Sequence, residues 1–280
     1  MRRPPIVAGT FYDIDKDDLI KRLEWAFSDD KIGPGELPEK DQKKLDKNIG
    51  VIVPHAGYIY SGPVAAWAYL ELSKLGKPDT VILIGPNHTG TGAELGVWPE
   101  GLWITPLGEL KVAEDVTNFL FENSDILTPD TSSHISEHSL EVQLPFLQYV
   151  YGSDIEIVPI TMMVQEFEFS RLLAENIQKV FEHFPEKKFV VVASSDLNHY
   201  ESQEITLKKD EKFIKAVLSE DPKKVIKVVR NDEITACGFG PIATLLYLKL
   251  GSPKLLKHAT SGDINGDFSH VVGYASFIVA

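Results

Sequence analysis

Thr80–His88 reads TVILIGPNH: an apolar run, Val81 to Ile84, is broken by Gly85-Pro86 and followed at once by a histidine. Two other stretches repeat the design. Gly50–His55, GVIVPH, stops at Pro54 with His55 behind it, and Phe189–His199, FVVVASSDLNH, gives way to Ser-Ser-Asp and ends on His199. Continuous β-branched runs without polar alternation suit strands covered on both faces, as in a parallel sheet. Ligands of such sheets bind beyond the carboxyl ends of the strands. Three strands that each deliver a polar group at that end predict one convergent site.

The remainder of the chain fits a single α/β domain, 1–280, with a mainly parallel central sheet flanked by helices. At 280 residues it can bury a large core, and 43% hydrophobic with 25% charged residues is ordinary for a globular protein. A formal net charge of −13 argues against nucleic acid or an anionic membrane surface as partner. No apolar run approaches the roughly 18 residues of a membrane span. The start, MRRPPIVAGTFYDIDKDD, has arginines but no apolar segment behind them, so it does not read as a secretion signal. A single cysteine rules out an internal disulfide and fits a reducing compartment, so a cytoplasmic location is expected.

Residues 1–12 contain Pro4-Pro5 and then an apolar stretch, which predicts a non-helical arm laid over the core. A helix is expected from Asp15 to Phe27, and residues 28–48 read as an exposed, charged link. Pro63 is expected at the first position of a helix from Val64 to Leu75, which would complete a βαβ unit between the first two strands. Gly90–Leu110 reads as a long loop or hairpin. Ser139–Tyr151 has helical spacing but contains Pro145, which predicts a kink or a break. Further strands are expected at Asp154–Thr161 and at the C-terminal VVGYASFIV, with helices at Glu114–Asn123, at Phe167–Phe184, near 206–218 and 222–230, and from Gly240-Pro241 to Leu250.

His55 and His88 are the first candidates for chemistry, because imidazole is the commonest transition-metal ligand and histidines at neighbouring strand ends can share an ion. A lone histidine more often holds its own loop through a backbone hydrogen bond, and only the pairing across one βαβ unit lifts these two above that. Asp196 and His199 could form an oriented imidazole acting as general acid or base, or the same residues could simply cap a turn. Cys237 precedes a helix, where thiolate is favoured, and glycines on either side of Phe239 allow close backbone approach, although a lone cysteine is commonly a small buried hydrophobe. His134-Ile-Ser-Glu-His138 matches the short H-x-x-E-H pattern of inverted zinc proteases, but TPDTSS runs directly into His134, so that histidine is expected to precede any helix. His138 with Glu141, three apart at a helix start, read better as a pair lining the site. His270 has only its nearness to the last strand.

The motifs AGTFY, PHAGYIYSG, GPNH, EHSLEVQLPFLQ, SSDLNHY and TACGFGP, spread from Ala8 to Pro241, stand in the order found in the Memo family, which the chain resembles over essentially its whole length. That family is similar in fold to the class III, LigB-type extradiol dioxygenases, which hold non-haem Fe(II) with two histidines and a carboxylate. The resemblance implies that His55 and His88 are metal ligands, that Cys237 is a third, and that Asp196, His199, His138 and Glu141 border the same pocket. A thiolate in place of the carboxylate suits zinc or copper as well as Fe(II). The expectations that follow are a dioxygenase-like oxidoreductase acting on a phenolic or other small substrate, a binding or adaptor protein recognising a peptide or protein, and a zinc-dependent hydrolase. By family association, a radical-SAM protein is a further expected partner.

Overall fold

The structure, a computed structural model, describes residues 1–40 and 42–280, so the link 28–48 is described apart from Asp41. Among the described residues, twelve strands form one sheet: β1 (Arg2–Arg3), β2 (Ile49–Val53), β3 (Thr80–Pro86), β4 (Leu95–Val97), β5 (Leu102–Thr105), β6 (Gly108–Val112), β7 (Thr128–Pro129), β8 (Glu156–Met162), β9 (Phe189–Ser194), β10 (His199–Glu201), β11 (Pro253–Thr260) and β12 (Val271–Val279). The main order is β1-β5-β6-β8-β3-β9-β2-β12-β10; β11 pairs with β12, β4 with β8, and β7 with β4.

At the centre, β8, β3, β9 and β2 run parallel, with Ile49–Val53 in register with Val190–Ser194 and Thr80–Ile84 in register with Phe189–Ala193. The expected mainly parallel central sheet is found, and around it the full sheet is mixed: β12 is antiparallel to β2, β10 and β11, and β5 to β6. For the β11–β12 and β5–β6 pairs the reason is connection length. Residues 261–270 between β11 and β12, and 106–107 between β5 and β6, are shorter than the crossover of a dozen or more residues that a parallel return needs. The strand β11 was not legible in the sequence, whereas the loop or hairpin expected at 90–110 is found as β4 followed by the β5–β6 hairpin, which runs on to Val112.

The uninterrupted apolar runs are explained by cover on both faces. Ile52, Ile82, Ile84, Val191 and Ala193 pack on one side with Leu173, Phe213, Val225 and Leu245 from the helices Phe167–His183, Gln203–Leu218, Pro222–Asn231 and Phe239–Tyr247. Val51, Val53, Val81, Leu83, Val190 and Val192 pack on the other, with Leu19 and Leu23 from Lys16–Ser28, Ala65 and Tyr69 from Tyr58–Leu75, and Leu147 from Leu144–Tyr151. Alternate residues of each strand thus enter opposite cores.

Two helix boundaries depart from the sequence reading in informative ways. The second helix starts at Tyr58 with Gly57 as cap, so Pro63 lies inside it rather than at its start. Proline removes only the bond to the carbonyl four residues back, and the first-turn N–H of Tyr58 is satisfied from outside by Phe11 O. At Pro145 the expected break is found: a 3₁₀ turn, Glu141–Gln143, precedes the helix Leu144–Tyr151, with proline in that helix's first turn.

The N-terminal arm is fixed by a buried ion pair. The Arg3 guanidinium lies over the Trp103 ring at 4.1 Å, donates to Glu141 Oε2 at 2.6 Å, and reaches the carbonyls of His134 and Glu137. Both members of the pair are essentially inaccessible to solvent, at 1% and 0% side-chain exposure. Glu141 also accepts the N–H groups of Ile6 and Val7 and the Tyr12 hydroxyl. Replacing Glu141 by Ala would strand a buried cation and orphan three further donors. Glu141→Ala is therefore expected to lower stability by about 3–5 kcal/mol, read from urea unfolding beside the wild type.

Candidate metal centre

Because β3, β9 and β2 are neighbours and parallel, His88, Asp196 and His55 emerge at one edge of the sheet. They line a cavity of about 690 Å³ together with His138, His199, Cys237 and His270. Phe11, Tyr60, Tyr274 and Tyr200 supply aromatic walls. The rings of His55 and His88 lie 5.3 Å apart edge to face, and His138 stacks on His88 at 4.7 Å. Cys237 Sγ is 3.1 Å from His55 Nε2. The thiol gets there because residue 238 has no side chain: a Cβ on Gly238 would sit 2.3 Å from Ser194 O.

The hydrogen bonds fix which nitrogen of each imidazole carries its proton. Ser194 Oγ has a single proton, and it goes to Ser139 O at 2.7 Å, since a carbonyl can only accept. The same oxygen accepts the Gln143 amide at 2.9 Å, so toward His55 Nδ1, at 2.8 Å, it must accept again. His55 is thus the Nδ1–H tautomer with Nε2 left as a lone pair beside Cys237. His88 Nδ1 lies 2.9 Å from Glu137 Oε1, and Glu137 Oε2 takes the His88 N–H at 2.6 Å. Burial alone would raise the Glu137 pKa. The hydrogen bond and charge of His88, with the Ser139 N–H, overcome this and bring it to about 2. An ionised carboxylate only accepts, so His88 is also Nδ1–H with Nε2 free. His199 Nδ1 faces Thr235 O at 2.9 Å, which gives the same tautomer a third time.

The surroundings set the charge of these rings differently. Burial, then the neighbouring His138, His88 and His199, push the His55 pKa well below the ordinary value. Burial also lowers that of His138, with His88 adding to it and Glu137 opposing. For His88 burial acts downward, but the Glu137 hydrogen bond and charge prevail and raise it. Burial raises the Asp196 carboxyl.

Several expectations need correction here. Asp196 does not orient His199: its Oδ1 accepts the His55 N–H at 2.8 Å, and Thr235 takes the orienting role. Glu141 does not border the cavity, because the 3₁₀ turn directs it toward the N-terminal arm. The H-x-x-E-H pattern makes no clip, since His134 is fully buried with Nε2 on Gly96 O and its ring between Trp98 and Trp103. Cys237 is not activated by its helix. Burial, reinforced by Asp196, pushes the thiol up, against the opposing hydrogen bonds of Asp196, Ser195 and its own backbone. Glu137, Ser194 and Thr235 were missed as orienting groups. Ser194 and Thr235 lay within the stretches SSDLNHY and TACGFGP, but nothing local marked their partners.

The donor set fits a single soft-to-borderline metal ion. His55, His88 and Cys237 each offer a ligand atom, and these atoms lie within 4.8 Å of one another. Ligands on one tetrahedral ion stand about 3.5 Å apart for metal–ligand bonds of about 2.0–2.3 Å, so a modest contraction would close the site. Both imidazoles already carry their proton on the outward nitrogen, which is how ligating histidines are held by a second layer of acceptors. The thiol would have to lose its proton on binding, and a coordinated ion supplies the charge that makes this favourable.

The low Glu137 pKa has a measurable consequence. Folding favours the ionised form, so the stabilisation is fully present above the ordinary 4.5 and is lost as the pH falls toward about 2. At about 1.4 kcal/mol per unit this amounts to about 3 kcal/mol. Urea unfolding of metal-free protein at stepped pH should show that loss in the wild type and its absence in Glu137→Gln.

Comparison with known proteins places the chain. Residues 3–278 match the sequence family described as Memo-like protein. A MEMO1 family protein of Thermotoga petrophila is 47% identical over 279 residues, with all of both chains covered. Another, from Sulfurisphaera tokodaii, is 50% identical over 280 residues, covering 99% of this chain and 98% of that one. The crystal structure of an uncharacterised protein from Escherichia coli K12 superposes with a TM-score of 0.58 over 84% of this chain and 100% of that one. At 13% identity, that likeness concerns the fold alone. No helix among the described residues is long and apolar enough to cross a membrane. With a match running from residue 3 to residue 278 and relatives close to half identical along their full length, the chain belongs to the Memo-like protein family.

Proposed function

We propose that the cavity is a mononuclear metal centre for dioxygenase-type oxidation of a small phenolic substrate. His55, His88 and Cys237 would hold Fe(II). One observation carries the reading: two imidazoles have their Nδ1 protons committed to internal acceptors, which leaves Nε2 as the lone-pair nitrogen, and ligand atoms of both rings and of Cys237 lie within 4.8 Å of one another. Bound there, Fe(II) would supply a Lewis acid for a substrate hydroxyl and open positions for oxygen.

The chain's own residues would do the rest. His199, held as the Nδ1–H tautomer, has Nε2 available to take a proton from a substrate hydroxyl and return it later. His138, kept neutral by burial, adds a second acceptor on the His88 side. Phe11, Tyr60 and Tyr274 would flank a planar ring and exclude water from it. The Asp196 carboxyl fixes the His55 backbone and so the distance from that ring to Cys237.

The test is elemental analysis of untagged protein purified without oxygen, followed by oxygen uptake across a panel of phenols. Near-stoichiometric iron is expected in the wild type and its loss in His55→Ala and in Cys237→Ala. Iron-dependent oxygen uptake is expected to fall by about 10²–10⁴-fold in His199→Ala. Zinc at the same ligands, with no oxygen uptake, would replace oxidation by hydrolysis. Protein that takes up no metal on reconstitution, and holds a peptide or protein partner despite the combined His55→Ala and His88→Ala changes, would be a binding protein.

A further inference from the structure

From His199 a line of hydrogen bonds runs by way of Thr235, at the cavity wall, through the fold to a buried carboxylate. The His199 N–H donates to Thr235 Oγ1 at 2.7 Å, and its Nδ1–H donates to Thr235 O. Thr235 in turn donates both its N–H and its hydroxyl to Asn198 Oδ1, each at 3.1 Å. The Asn198 N–H donates to Asp210 Oδ1 at 3.0 Å. Asp210 is completely buried, and its other oxygen meets His258 Nε2 at 2.8 Å. The Asn198 amide cannot be flipped, because its Nδ2 donates to Glu201 Oε2 at 2.7 Å.

We infer that Asp210, Asn198 and Thr235 are positioning residues that hold His199 in the Nδ1–H tautomer with Nε2 turned to the cavity. The inference takes from the proposed function only that His199 acts through Nε2. Two features carry it. The direction of every proton in the line is set: the Thr235 hydroxyl accepts from His199 and so must donate onward to Asn198, and the final acceptor is a carboxylate. The fold also makes room for that carboxylate at a specific cost in sequence freedom. A Cβ on residue 273, a buried position of β12, would sit 1.9 Å from Asp210 Oδ2, so only glycine fits there. Gly273 pairs with the same loop, accepting the Leu197 N–H and donating to Asn198 O.

The tautomer can be read directly by long-range proton–nitrogen correlation of the imidazole rings in the full-length, metal-free protein. His55 serves as an internal reference, since its Nδ1–H is fixed independently through Ser194. Wild-type His199 is expected to show one tautomer, protonated at Nδ1. Thr235→Val and Asp210→Ala keep the Thr235 carbonyl but remove the side-chain ties that hold it against the ring, and are expected to shift the tautomer ratio toward Nε2–H by about twofold to fivefold, part or all of the effect of one net hydrogen bond. Thr235→Ser and Asp210→Asn keep the acceptors and should match the wild type. Thr235 is exposed, so Thr235→Val is the variant that decides if Asp210→Ala does not fold. A wild-type His199 tautomer in Thr235→Val, with the His55 signals intact, would overturn the inference. Because no metal or substrate enters the measurement, failure of the oxidation chemistry would leave this result untouched.

Discussion

Because β9 pairs in parallel with β3 on one side and β2 on the other, three chain segments far apart in sequence leave the sheet at the same edge and on the same level. The parallel register forces His55, His88 and the 194–199 turn together whatever the flanking helices do. The two hydrophobic cores then act as clamps. Each strand is locked by side chains on both faces, so a slip of one residue would exchange every core contact. The rigidity of the cavity floor is thus a property of the sheet, and only its walls are left to loops.

On that floor the same chemical problem is solved three times with different acceptors. His55 uses a serine hydroxyl whose proton is already committed, His88 an ionised glutamate, and His199 a backbone carbonyl. The result is one tautomer in every case, but unequal basicity for His55 and His88. The carboxylate raises His88, while the neutral partner of His55 leaves burial to lower it. Identical geometry with unequal proton affinity separates the rings electrostatically even though they lie within a few ångströms.

The strand ends were legible because their signals are local: an unbroken apolar run, a Gly-Pro or Pro stop, then a histidine. The mixed character of the sheet and the strand β11 were less so, since pairing direction depends on how short the later connections are and Pro253–Thr260 alternates only weakly. At the site, His55, His88, His138, Asp196, His199 and Cys237 all face the cavity, but the partners assigned within it were partly wrong. Asp196 and His199 are three apart and looked paired, whereas each bonds to a segment tens of residues away. Glu141 was misread for a related reason. An α-helical start would have set it beside His138, and the 3₁₀ turn that Pro145 enforces directs it to the arm instead. Spacing along the chain identifies residues that emerge together. It does not say which atoms they find once loops fold back.

The buried Arg3–Glu141 pair also sets an order of events. Arg3 lies 138 positions ahead of its partner, and the arm can dock only after β5 and the 3₁₀ turn exist. Until then a guanidinium, two backbone N–H groups and a tyrosine hydroxyl have no interior acceptor and remain in water. Closing so long a loop costs entropy, and docking follows the elements that supply its acceptors. Phe11 arrives with the arm, so the wall that it gives the cavity would be among the last parts of the molecule to set.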